Sequence, residues 1–76
     1  MNLRIAQALG EVAGQMARYG SATGITPFET LEEGETFRQK LRERYPFTGY
    51  GTTASRPEKQ GDSQRYFVKW WVGSCE

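Results

Sequence analysis

The segment QRYFVKWWV, residues 64–72, constrains this chain more than any other stretch. It is aromatic and β-branched, contains neither glycine nor proline, and reads as the strongest strand in the sequence. Successive side chains of a strand point to opposite faces of its sheet. One face therefore carries Tyr66, Val68, Trp70 and Val72, and the other Arg65, Phe67, Lys69 and Trp71. The first set is apolar or amphipathic and suits a core. The second alternates cations with rings, which a dry interior would not accept. The adjacent tryptophans are thus expected to diverge, Trp70 toward packed helices and Trp71 away from them.

The chain around this strand is short. Its 76 residues make a single domain, and a domain of that size buries only about 60% of the surface its unfolded chain exposes. Nine branched aliphatic residues stand against ten aromatics. Rings must supply much of the core, which leaves few of them free for a ligand. Nine glycines and three prolines imply several turns and compact loops.

Residues 2–19 read as a helix, because Ile5, Leu9, Val12 and Met16 fall on one stripe while Arg4, Gln7, Glu11, Gln15 and Arg18 gather opposite. A row of small residues, Ala6, Gly10, Ala13 and Ala17, runs beside the apolar stripe. Interior glycines at 10 and 14 cost roughly 1 kcal/mol each relative to alanine. Close approach of another backbone would offset that cost; a tolerated weakness is the plainer reading. Gly20 is placed to cap the helix C-terminus. The stretch SATGITPFE reads as a loop with room for a short extended piece around Ile25.

Thr26-Pro27-Phe28-Glu29, with proline at the first helical position, and Thr30-Leu31-Glu32-Glu33 both have the spacing of a capping box, and Thr30 is the preferred start of a second helix. Leu31, Gly34, Phe37, Leu41 and Tyr45 then share one face, and Pro46 ends the helix. Glu32, Glu33 and Glu35 sit near its positive end, and Lys40, Arg42 and Arg44 near its negative end. FTGYGTTAS reads as a glycine-softened strand, and RPEKQGDS, residues 56–63, as the polar turn of a hairpin. The expected fold class is α+β: two helices packed on one face of a small antiparallel hairpin, in the order α-α-β-β, with an optional short strand near residue 25.

Three arrangements would accommodate the face that bears Phe67 and Trp71. The first helix or the long loop could cross over it, two copies of the chain could pair through it or through the hairpin edge, or a foreign partner could dock there. Exposed Trp and Phe beside Arg and Lys match the composition of interaction hot spots. The candidate partner-binding residues are Arg65, Phe67, Lys69 and Trp71, with Arg56 and Lys59 from the adjoining turn. A sheet carrying rings and cations can also stack bases and hold phosphates, although the signature of the RNA-recognition sheet is missing. A secondary basic cluster, Arg38, Lys40, Arg42 and Arg44, either rims the core with its aliphatic stems or contacts an acidic protein or a phosphate backbone.

The sequence contains no histidine, one cysteine and one aspartate. It therefore lacks the commonest general base near neutral pH and the ligand set of most zinc sites. Cys75 adjoins the C-terminus, a poor position for a preorganised nucleophile. GYG at 49–51 is not set between a strand and a helix, as a phosphate-binding loop would be. No apolar run approaches the roughly 20 residues of a membrane span, and the N-terminus is too interrupted by charge for a secretory signal. A net charge of +1 exerts no global pull on nucleic acid, and a lone cysteine fits a reducing compartment. The expectation is a small cytoplasmic binding protein that needs no cofactor or metal and performs no catalysis. Such a chain would be an accessory or inhibitory protein, of the kind common in phages and mobile elements, docking an aromatic-basic surface onto a larger protein complex. The alternatives are a nucleic-acid-binding module using the C-terminal strand and a homo-oligomer.

Overall fold

The computed structural model describes residues 2–74 and belongs to the α+β class, with two helices and an antiparallel sheet of four strands. Helix α1 spans Leu3–Tyr19 and α2 spans Leu31–Arg44. The strands are β1 (Ser21–Phe28), β2 (Tyr50–Ala54), β3 (Glu58–Lys59) and β4 (Tyr66–Ser74). The expected order α-α-β-β needs correction: a full eight-residue strand, not a short extended piece, stands between the helices. β1 takes one side of β4, pairing Ser21 with Gly73 through Phe28 with Tyr66. β2 and then β3 succeed each other along the other side. Since β1 and β2 both run antiparallel to β4, they run parallel to each other. α2 is the crossover between them, and β4 is inserted in the middle, as in a split β-α-β unit.

Local chemistry sets the helix ends where the sequence placed them. Asn2 caps α1 through its side chain, and Gly20 ends it with φ at 74°, a left-handed conformation that glycine adopts without steric cost. Thr30 and Glu33 form the reciprocal capping box of α2. Both helices lie on one face of the sheet. Ile5, Leu9 and Val12 from α1 join Phe37 and Leu41 from α2 and Val68, Trp70 and Val72 from β4 in one core. Phe37 meets Phe28 with ring centroids 5.2 Å apart and meets the edge of Trp70 at 6.4 Å. Leu31, at the open end of its helix, is about half exposed instead of joining that face. Gly10 and Gly14 are not sites of close approach either, since nothing lies within 4 Å of a Cβ built on either one.

Side chains from the helices occupy part of both edges of the sheet. In an antiparallel ladder, alternate residues turn both backbone groups toward the same neighbour. On β1 the odd-numbered residues face away from β4, and α1 reaches them: Gln15 Oε1 accepts from the Thr23 N–H at 3.1 Å, and Arg4 Nε donates to the Pro27 carbonyl at 3.1 Å. Pro27 has no N–H to leave unpaired. At the opposite edge, Arg38 Nε donates to the Ala54 carbonyl at 3.2 Å. Exposed strand edges invite pairing with other chains, and these contacts block that pairing at three points.

Candidate interaction surface

The two tryptophans occupy opposite faces, each seated on a glycine. Trp70 lies in the core at 2% exposure and reaches across β1 over Gly24. A Cβ on Gly24 would come within 2.9 Å of the Trp70 Cζ2, and the indole Nε1 donates to Thr26 Oγ1 at 2.8 Å. Trp71 turns to the other side and lies along its own strand over Gly73, where a Cβ would come within 2.5 Å of Trp71 Cζ2. The underside of that indole rests on the sheet, and the residue remains 45% exposed. The result is a ring backed by Gly73 and about half open to solvent.

Cross-strand register fixes what surrounds it. Trp71 lies between Thr23 on β1 and Thr53 on β2. Lys69, next along the same face, lies between Ile25 and Ser55. Ser55 donates its N–H to the Lys69 carbonyl at 2.8 Å, and its hydroxyl accepts the Lys69 N–H at 2.9 Å. Phe67, half-buried, lies between Pro27 and Glu58. A shallow hollow of about 380 Å³ runs beside the indole, with Thr23, Thr53, Ser55 and Lys69 in its wall. Neither helix covers this face, so the arrangement in which α1 or the loop crosses over it is set aside. Residues 21–28, which were to supply the covering loop, instead extend the open face as β1.

The structure gathers some of the candidate residues and separates others. Phe67, Lys69 and Trp71 form a ridge down the central strand. Arg65 continues that ridge but is engaged by Glu29 at 3.4 Å. Arg56 is exposed in the connection between β2 and β3. Lys59 is opposite Tyr66, on the helix side of the sheet, with its ammonium 5.3 Å from the Tyr66 ring centroid; it does not join the Trp71 face. The secondary cluster divides as well. Arg38 is committed to Ala54 and to Glu35, which it meets at 2.9 Å, so it serves the fold instead of standing free. Lys40 lies 3.9 Å from Glu43. Arg42 and Arg44 are exposed, and both border hollows shared with Glu43. Interleaved acids make α2 a ribbon of mixed charge, not a basic patch.

Sequence reasoning missed Thr23, Ile25, Thr53 and Ser55 as members of the open face. Ile25 is 55% exposed and lies beside Lys69. The other large exposed apolar residues, Leu3, Tyr19, Leu31 and Phe47, stand singly at element ends or in a turn, as single exposed apolar residues commonly do. Among the described residues, no group of three or more His, Cys, Asp or Glu could hold a metal ion, and no helix is long and apolar enough to cross a membrane. Cys75 lies outside the described residues. Comparison of the chain with protein-family models, with curated proteins and with solved structures finds no match.

Proposed function

We propose that this protein acts by binding and not by chemistry, as a small accessory or inhibitory protein that docks its uncovered sheet face onto a larger protein. The observation that carries this reading is the exposed Trp71 indole seated over Gly73 on a face no helix covers. A partly exposed tryptophan is costly in water, and a pinned one loses little entropy when a partner covers it, which is the profile of an interface anchor. The proposed setting is the cytoplasm, in keeping with a single cysteine in the whole sequence.

Affinity capture from the native host, with and without nuclease, tests the reading. Wild-type protein is expected to retain a specific protein after nuclease, and Trp71→Ala to lose it while still folded. Loss of the bound material on nuclease treatment would instead favour nucleic acid stacked on the same indole. Capture that is indifferent to Trp71→Ala would remove this face from consideration.

A further inference from the structure

Resting on that docking reading, we infer the chemistry of the partner: a protein surface that meets the sheet face-on, with a flat apolar or aromatic group on Trp71 and a carboxylate over Lys69. Three observations narrow the field. First, strand addition is obstructed, because Gln15, Arg4 and Arg38 occupy edge groups of β1 and β2, and Pro27 offers no donor. Such obstruction favours a partner that approaches the face.

Second, the face is unsuited to a second copy. Strands about 4.8 Å apart, with β1 and β4 some 30 Å long and β2 followed by β3 along the other side, present a flat footprint of roughly 450 Å². That is a small footprint for a standard interface, which removes roughly 800 Å² of accessible surface from each partner. Lys69 is also the midpoint of the ridge on the central strand. A two-fold axis through the middle of the face would set its ammonium against that of its copy, a like-charge contact that is costly once desolvated. A larger partner escapes both limits, since it can reach past the rim and is not bound to repeat the charge.

Third, Lys69, on the ridge itself, is a cation without a counter-ion. Arg65 has Glu29, and among the described residues no carboxylate lies within 4.0 Å of Lys69. Two apolar neighbours, Ile25 beside it and Trp71 two residues on, would shield an incoming carboxylate from water and strengthen its bond to the ammonium. A nucleic-acid track requires several phosphates to be neutralised, and one unpaired lysine does not supply that.

A displayed library of small folded scaffolds with randomised surfaces, selected against the intact chain, tests this chemistry. Binders are expected to carry Asp or Glu beside Trp, Tyr or Phe. They should lose at least tenfold in affinity with either Trp71→Ala or Lys69→Glu, and bind Arg4→Ala/Gln15→Ala as they bind wild type. Selection against the Lys69→Glu chain should enrich Lys or Arg in place of the acid, and circular dichroism confirms that each variant is folded. Binders that need Trp71 but tolerate Lys69→Glu would overturn the carboxylate and leave the docking reading standing. Binders insensitive to Trp71→Ala would overturn the docking reading itself, and binders lost only with the Arg4/Gln15 pair would overturn face-on approach. Tight binding of a single-stranded oligonucleotide with steep salt dependence would overturn the inferred protein partner.

Discussion

Removing each tryptophan in turn should give two very different proteins. Trp70→Ala empties a site that is 2% exposed, strips Phe37 of its edge contact and leaves Thr26 Oγ1 without its donor. Truncating a buried tryptophan costs about 3–5 kcal/mol, and an orphaned half-buried hydroxyl adds about 1 kcal/mol. A chain of this length holds only about 4–11 kcal/mol of stability in total. Trp70→Ala should therefore lower the melting temperature by some 15–50 °C or abolish cooperative folding.

Trp71→Ala removes a ring with one side already wet, so no cavity forms. A fully buried tryptophan removes 150–250 Å² from water, so this one removes roughly 100 Å², which is at most ~2.5 kcal/mol at 25 cal/mol per Å². A compact denatured ensemble reduces that figure, and the rotamer freedom recovered on truncation offsets about another 1 kcal/mol. The net cost should be near 1 kcal/mol, or about 4–8 °C. Melts followed by far-ultraviolet circular dichroism avoid reliance on the deleted fluorophore. In parallel, Trp71→Ala, which keeps only Trp70, should emit to the blue of wild type and resist acrylamide quenching better. Equal destabilisation by the two substitutions would refute the reasoning, because Trp71 would then have to be packed against something in solution.

The glycines should respond with opposite signs. Gly24→Ala puts a methyl group 2.9 Å from an indole that cannot swing away, and should cost about 1–3 kcal/mol in urea unfolding. Gly10→Ala and Gly14→Ala meet nothing within 4 Å and should each gain up to about 1 kcal/mol of helix propensity; a loss at either would mean that a partner helix packs there. Wild type should sediment as a monomer, whereas Arg4→Ala/Gln15→Ala should associate as concentration rises, because the Thr23 N–H and Pro27 carbonyl become free for strand pairing. A folded double variant that stays monomeric at every concentration would show that these side chains do not guard the edge. The Glu33 carboxyl is held below its ordinary value, chiefly by the hydrogen bond from the Asn2 side chain and further by the backbone N–H groups of Glu29 and Thr30. A depressed carboxyl contributes stability that is present above its unfolded value and fades as pH falls through the folded one. Glu33→Gln should accordingly flatten the acid limb of stability against pH, and an unchanged limb would remove this group from the account.

Much of the fold was legible because it is written in local rules. The capping box at Thr30, the glycine at 20 and the period of two in residues 66–72 each depend on neighbours in sequence, and each lies where the pattern placed it. β1 was legible only as an optional short piece near Ile25, because its alternation is inverted. Its inward positions are Ala22, Gly24, Thr26 and Phe28, while its one branched aliphatic residue, Ile25, faces solvent. A pattern search expects the large residue inside. Here the inside of β1 is small at Gly24 because Trp70 fills that space from the next strand, a fact that depends on register 46 residues away in the chain. Once the register is known, the same strand becomes half of the open face.

The basic residues show the same limit from the other direction. Arg38 and Lys59 carry the charge that a docking surface would use, and only tertiary placement separates them from Lys69. Arg38 satisfies the Ala54 carbonyl at a sheet edge, and Lys59 faces the Tyr66 ring on the helix side. Removing those two from the surface thins its basic character but sharpens what remains. A nucleic-acid reading draws its strength from the number of cations, so each arginine or lysine withdrawn by the fold weakens it. A protein interface draws its strength from a buried anchor and one well-placed charge, and the fold leaves that combination, Trp71 beside Lys69, intact.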